Sequence, residues 1–305
     1  MSLYHKYRPN TFDEVVGNGD AINYLKEVLA DDKNLIPNVF LLHGPTGCGK
    51  TTIARIIANE LECSKEDFNE INTANFRGID SVREIIRNSK YHSLHGDVRV
   101  WLIDESHKLT GDAQNALLKL LEDPPAHSYF ILCTTEPEKL LNTVKGRCMQ
   151  LQMKPLNENQ MFTLLRRVVK EEGQKITKSV YEQITQDSLG LPRNAIQILE
   201  KVLRVPAERQ LEMAQQSAVE YSDSIELCRI LIGSRPGWKQ VRSILKGLKD
   251  QEPETIRRHV IGYASSVLLG GDHERAALVI EEFYEPFYNT GFPGLVFACY
   301  SVVKT

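Results

Sequence analysis

The chain is predicted to be α/β, a parallel sheet followed by helices alone, on three observations. Five short apolar runs alternate with amphipathic stretches between residues 39 and 153, the pattern of successive βαβ units. A glycine-rich segment, 44–51, lies between the first run and the first helical stretch. After Pro155 no strand-like run occurs.

Each element follows in order. Val39-Phe40-Leu41-Leu42-His43 is a strand that stops at Gly44, and residues 51–61 carry helical spacing through Ile53, Ile56, Ile57 and Leu61. Phe68-Asn69-Glu70-Ile71-Asn72 is a second strand, and 79–90 is amphipathic through Ile79, Val82, Ile85 and Ile86. The run 98–103 is a third strand stopping at Asp104, and the helix 112–122 is ended by Pro124-Pro125. Residues 129–134 and 149–153 supply the fourth and fifth strands. Such interleaving buries a parallel sheet on both faces. Beyond Pro155, helices are expected at 157–172, 177–186 and 192–203, then a loose polar stretch at 206–224. Five more are expected at 224–232, 238–249, 254–269, 272–288 and 293–303. The expected domains are residues 1–156, 157–214 and 215–305.

Composition bounds the function. Hydrophobic residues are 42% and charged residues 25%, which argues against a disordered, collagen-like or disulfide-stapled chain. No run approaches the ~18 apolar residues of a membrane span, and MSLYHKYRPN lacks a signal-peptide core. A soluble cytoplasmic protein without membrane partners is expected. Of the six cysteines, no two lie close enough for a compact zinc site, so no zinc is expected. Cys63, Cys133, Cys148 and Cys228 read as small core residues. With 37 Lys+Arg against 40 Asp+Glu, DNA binding would need a local patch or a multi-subunit ring.

Gly44-Pro45-Thr46-Gly47-Cys48-Gly49-Lys50-Thr51 has the pattern GxxxxGK[ST] between a strand and a helix. In that setting backbone N–H groups curl inward around phosphates, Lys50 reaches the β- and γ-phosphates, and the Thr51 hydroxyl ligates Mg²⁺. The helix N-terminus adds partial positive charge. Asp104-Glu105 ends the third strand, where Asp104 would face the metal and Glu105 polarise an attacking water. Thr134-Thr135, ending the fourth, suits either a hydrogen bond to the γ-phosphate or one to loop backbone. Arg147 is either a surface residue or, in a head-to-tail assembly, an arginine finger for a neighbour's nucleotide. Arg193 opens a helix against its dipole, which suits an anionic partner or plain solvation.

Lys6-Tyr7-Arg8-Pro9, Val15-Val16-Gly17, the 44–51 loop, Asp104-Glu105-Ser106-His107, Leu121-Glu122-Asp123-Pro124-Pro125, Thr134-Thr135-Glu136-Pro137, Gly146-Arg147-Cys148 and Leu191-Pro192-Arg193 occur in that order. This series resembles the AAA+ clamp-loader ATPases, in particular the gamma/tau subunits of bacterial DNA polymerase III, and is similar to the small subunits of replication factor C. The resemblance covers roughly residues 3–204. It implies a RecA-like domain, a three-helix lid and a helical collar. It implies an ATPase motor subunit, using ATP and Mg²⁺. Such subunits form four- or five-membered spirals that open a sliding clamp, grip primer–template DNA, and release the clamp on hydrolysis.

By the resemblance, Tyr7, Arg8, Pro9, Val15 and Val16 line the adenine pocket, while Gly47, Gly49, Lys50, Thr51 and Thr52 hold phosphate. Asp104 and Glu105 are the Walker B pair, Thr135 is sensor 1, Arg147 the trans finger, and Pro192-Arg193 carries sensor 2. Template phosphates would meet Arg77, Lys108 and Thr110, and the clamp would contact 115–121 or 89–96. Two departures stand out. The interval 62–68 leaves no room for the four-cysteine module of gamma/tau, and Gly146 replaces the serine of the finger motif. No tau-type extension is expected, and a compact bacterial or bacteriophage replisome subunit is expected. The alternatives are another AAA+ machine, such as a helicase loader or branch-migration motor, and a scaffold subunit that binds nucleotide without hydrolysing it. Lys50, Glu105 and Arg147 argue against the scaffold.

Overall fold

A computed structural model describes residues 2–305 except 33–34, 74–77, 222, 234–235 and 250, and leaves out the side chains of 217–221, 223, 225 and 270. The chain forms two compact units, Leu3–Gln160 and Met161–Thr305.

The first unit begins with α1 (Leu3–Lys6) and α2 (Gly19–Leu29). It continues through β1 (Val39–His43), α3 (Lys50–Glu60), β2 (Phe68–Asn72), α4 (Ile79–Asn88), β3 (Arg99–Asp104), α5 (Gly111–Glu122), β4 (Ser128–Thr134), α6 (Asn142–Lys145) and β5 (Met149–Gln152). The strands form one sheet in the order β2-β3-β4-β1-β5, and every pairing is parallel. This is the α/β class expected. The apolar runs explain it: β4 is buried along its whole length, and β1 at all but His43.

Val39, Leu41, Trp101, Ile103, Phe130 and Leu132 pack in one core with Val82 and Ile85 of α4, Ala113, Leu117, Leu120 and Leu121 of α5, and Val144 of α6. The alternate residues Phe40, Leu42, Leu102 and Ile131 are also fully buried. They face the other side of the sheet, where α3 crosses β1, β3 and β4. β1 has β4 on one side and β5 on the other, so the chain leaves β1 for the far edge and later returns past it. Ligand crevices form at such switch points, outside the carboxyl ends of the strands.

The second unit is helical: α7 (Glu158–Glu171, which starts in the first unit), α8 (Lys178–Asp187), α9 (Pro192–Val202), α10 (Gln210–Tyr221), α11 (Asp223–Ile232), α12 (Trp238–Gly247), α13 (Pro253–Gly270), α14 (Glu274–Glu282) and α15 (Gly291–Lys304). Two expectations are corrected here. The stretch 206–224 is no loose linker: it holds α10, which packs on α8 and α9 and buries Ala214 completely. Its Gln- and Glu-rich sequence gives little sign of this, and the division expected at 215 falls inside the helix. The helix expected over 272–288 stops at Glu282, where Phe283 caps it and turns into the core.

The cysteines also differ in part from expectation. Cys133 and Cys228 are buried, but so are Cys48 and Cys299, while Cys63 and Cys148 are half-buried; all six are free. Among the described residues no three His, Cys, Asp or Glu side chains converge as metal ligands. No described helix is long and apolar enough to cross a membrane.

Candidate functional site

The loop 44–49 leaves β1 and enters α3 through three glycines with positive φ: Gly44, Gly47 and Gly49. At Gly44 the need is steric as well, since a Cβ would lie 2.1 Å from the carbonyl oxygen of Met153. Lys50 is only 6% exposed, and its ammonium donates to the carbonyls of Gly44 at 2.8 Å and Pro45 at 3.0 Å. It is thus held over the mouth of the loop by two neutral acceptors, which an anionic phosphate would displace. His43, at the end of β1, has its pKa lowered by burial and by the Lys50 charge, which keeps a second cation from forming there.

Because β3, β4 and β1 are adjacent, their carboxyl ends bring Asp104, Thr134 and Gly44 together. Gly44 N–H donates to the Thr134 carbonyl at 3.2 Å. The Thr51 hydroxyl donates to Asp104 Oδ2 at 3.0 Å, joining the two halves of the site across 53 residues of sequence. A hydroxyl and a carboxylate oxygen side by side at the phosphate end of the loop fit Mg²⁺, a hard cation that takes few protein ligands beside substrate phosphates. Thr51 and Asp104 would hold it.

Glu105 follows in the left-handed region, φ 54°. Its N–H donates to Asp104 Oδ1 at 2.9 Å, and its carbonyl accepts from the buried Thr73 hydroxyl at 2.6 Å. Its carboxylate lies 3.4 Å from His107 Nε2. The same nitrogen lies 3.1 Å from Glu136 Oε1, and Nδ1 lies 3.1 Å from Thr134 Oγ1. Burial lowers the His107 pKa, against the pull of Glu105 and Glu136, which favours the neutral ring. Neither His107 nor Glu136 was singled out from sequence. The signal lay in the short spacing of each from a strand-end motif.

The remaining residues divide by place. Tyr7 is buried, and Arg8 donates to the Tyr4 hydroxyl at 3.0 Å. Asn18, just past Val15 and Val16, exchanges hydrogen bonds of 3.1 and 2.7 Å with the Lys154 backbone, next to the Met153 carbonyl that abuts Gly44. The 7–18 segment is thereby tied beside the phosphate loop. Thr52 is buried in the first turn of α3, and Thr135 is half-buried just beyond β4. Thr110 caps α5 by accepting from Ala113 N–H at 3.3 Å, and Lys108 is half-buried in the turn before it. Arg77 lies outside the described residues. Tyr91 and Leu94, in the expected 89–96 contact, are largely exposed.

Arg147 lies elsewhere. It precedes β5, whose first residue pairs with Phe40 near the amino end of β1. It donates to Glu122 at 3.0 Å, the last residue of α5, and to the Thr143 carbonyl at 2.9 Å. Both anchors are at the amino ends of the strands, opposite the phosphate loop at the carboxyl ends. That is one strand length away, ~16 Å for five residues, and one helix length, ~18 Å for α5. Arg193 and Pro192 are in the second unit, in the first turn of α9.

The DNA polymerase III delta subunit family matches residues 66–157. The gamma/tau subunit of DNA polymerase III from Mycobacterium tuberculosis strain H37Rv is 34% identical over 231 residues, 68% of this chain and 40% of that protein. The gamma subunit from Buchnera aphidicola subsp. Schizaphis graminum is 33% identical over 226 residues, 67% of this chain and 61% of that protein. The chain therefore spans less than two thirds of the length of these relatives. Among solved structures, the Thermotoga maritima RuvB Holliday junction branch migration motor matches with a TM-score of 0.59 at 21% identity, over 92% of this chain and 90% of that one. That likeness gives the fold, the AAA+ architecture expected from the motifs.

Proposed function

The chain is a relative of the DNA polymerase III gamma/tau subunits built on the AAA+ fold, and we propose that it is the ATP-hydrolysing motor subunit of a DNA sliding-clamp loader. The observation that carries the reading is the Thr51–Asp104 hydrogen bond, which unites a phosphate loop with a strand-end carboxylate followed by a glutamate. Bound Mg²⁺·ATP would supply the transferable phosphoryl group and the charge that neutralises its leaving group. Thr51 and Asp104 would hold the metal. Lys50 leaves the Gly44 and Pro45 carbonyls for the β- and γ-phosphate oxygens, and Gly47, Gly49 and Thr52 shape the loop around them. Glu105 accepts the proton of the attacking water. Thr135 contacts the γ-phosphate as sensor 1. Tyr7, Arg8, Pro9, Val15 and Val16 line the adenine pocket, and Arg193, behind Pro192, reaches the nucleotide as sensor 2.

Arg147 serves the neighbouring subunit. Its distance from its own phosphate loop supports this, since a guanidinium cannot span a strand length. The subunit thus works in a four- or five-membered spiral whose partners are a clamp and primer–template DNA, with Lys108 among the phosphate contacts. Thr110 acts chiefly as the helix cap that orients that turn. We keep the lid–collar division as part of the proposal. Large apolar side chains exposed in the last 40 residues support a subunit interface there: Leu269 at 90%, Tyr284 at 72%, Phe297 at 70% and Tyr288 at 61%.

The test is steady-state ATP hydrolysis with host clamp and primed template added separately and together. Synergistic stimulation in a multi-subunit species is expected. A well-formed oligomer indifferent to both would refute the loader reading.

A further inference from the structure

We infer that His107 is a positioning residue for Glu105, its one N–H shared between Glu105 and Glu136 and drawing the Glu105 carboxylate toward the phosphate-loop strand. The inference rests on the proposed role of Glu105.

Proton bookkeeping fixes the tautomer. Thr134 Oγ1 already accepts the Glu136 N–H at 3.0 Å. Nε2 faces carboxylate oxygens, which accept, so the ring's hydrogen belongs there and the Thr134 hydroxyl donates to His107 Nδ1 at 3.1 Å. With Nδ1 an acceptor, a neutral ring carries its hydrogen on Nε2. That N–H meets two carboxylate oxygens, Glu136 Oε1 at 3.1 Å and Glu105 Oε2 at 3.4 Å. One hydrogen cannot point straight at both. Glu136 is further engaged by Lys139, at 2.5 Å, which weakens its claim on the shared hydrogen.

Position gives the arrangement its direction. Thr134 ends β4, which lies between β3, bearing Glu105, and β1, bearing the phosphate loop. A donor anchored on Thr134 therefore pulls the Glu105 carboxylate off its own strand and toward the crevice. The Glu105 backbone is pinned on both sides by Asp104 and Thr73, so the side chain is the part left to be directed. The His107 side chain, 5% exposed, is packed where it stands and does not wander.

The test pairs spectroscopy with kinetics. Nitrogen NMR of the His107 ring in the nucleotide-free chain should show a protonated Nε2 and a bare Nδ1. In the assembled complex with clamp and primed DNA, His107→Phe should lower kcat about tenfold while KM and ADP affinity stay within twofold, consistent with loss of one oriented group. His107→Gln, whose amide N–H can reach the same carboxylates, should recover most of the loss. A hydrogen on Nδ1, or wild-type kcat in a folded, ADP-binding His107→Phe, would overturn the inference and leave the functional proposal standing. An assembled wild-type complex that hydrolyses no ATP would overturn both.

Discussion

Glu105 adopts φ 54°, a conformation that costs a non-glycine residue about 1–2 kcal/mol, and does so between the Asp104 carboxylate and the Thr73 hydroxyl. A glutamate held in strain beside a phosphate loop is a group whose direction matters. Glu105→Gln, which keeps the shape and removes the base, should lower kcat by ~10²–10⁴ while ATP binding is retained. Stopped hydrolysis with lost nucleotide binding would show a structural role instead. At this scale the sequence was read well where chemistry is local. GxxxxGK[ST] and Asp104-Glu105 are short strings whose meaning travels with them. His107 and Glu136 were missed because their meaning is relational: they matter only once β3 and β4 are adjacent.

The connection between α3 and β2 is seven residues long and ends in Asp67, a fully buried carboxylate. It accepts from Leu94 N–H at 2.7 Å, His95 N–H at 3.0 Å, the Ser64 hydroxyl at 2.8 Å and Arg99 at 3.3 Å. One side chain thus fastens the short connection, the 89–98 loop and the start of β3. Burial alone would raise its pKa; the hydrogen bonds overcome that and bring it to about 2, from 3.8. A folded pKa below the unfolded one gives stability that is full above the unfolded value and is lost as pH falls toward 2. The depression corresponds to roughly 2 kcal/mol. Asp67→Asn should therefore cost about that much in urea unfolding at pH 7, with the gap closing toward pH 3. An equal gap at both would remove the ionic explanation. From the sequence this interval is notable only for being too short for a four-cysteine module and holding Cys63 alone. It could not know that a carboxylate fastens three segments there, since Leu94 and Arg99 are distant in the chain. α10 was missed for a related reason: its polar sequence shows no clear apolar face, and its place is set by packing against α8 and α9.

For the whole molecule, the central fact is that Arg147 and the phosphate loop stand at opposite ends of the strands of one parallel sheet. If the site is completed between copies, a Glu105→Gln chain and an Arg147→Ala chain, each nearly inactive, should complement on mixing. A random equal mixture gives an intact glutamate facing an intact arginine at about a quarter of the interfaces, so roughly that share of wild-type hydrolysis should return. No recovery in an oligomer of wild-type mass would place Arg147 in a purely intramolecular role. The sequence by itself determined the sheet class, the order of the five strands along the chain, and the phosphate loop with its acidic pair. All of these are written in local periodicity and contiguous motifs. Only the tertiary structure decided which strands are neighbours. From strand order came the Thr51–Asp104 bond and the imidazole between two glutamates, and from strand direction the placing of Arg147 at the amino ends. The reason is physical: hydrogen bonds and screened charges act over a few ångströms, and distances that short between residues dozens of positions apart are set by packing alone.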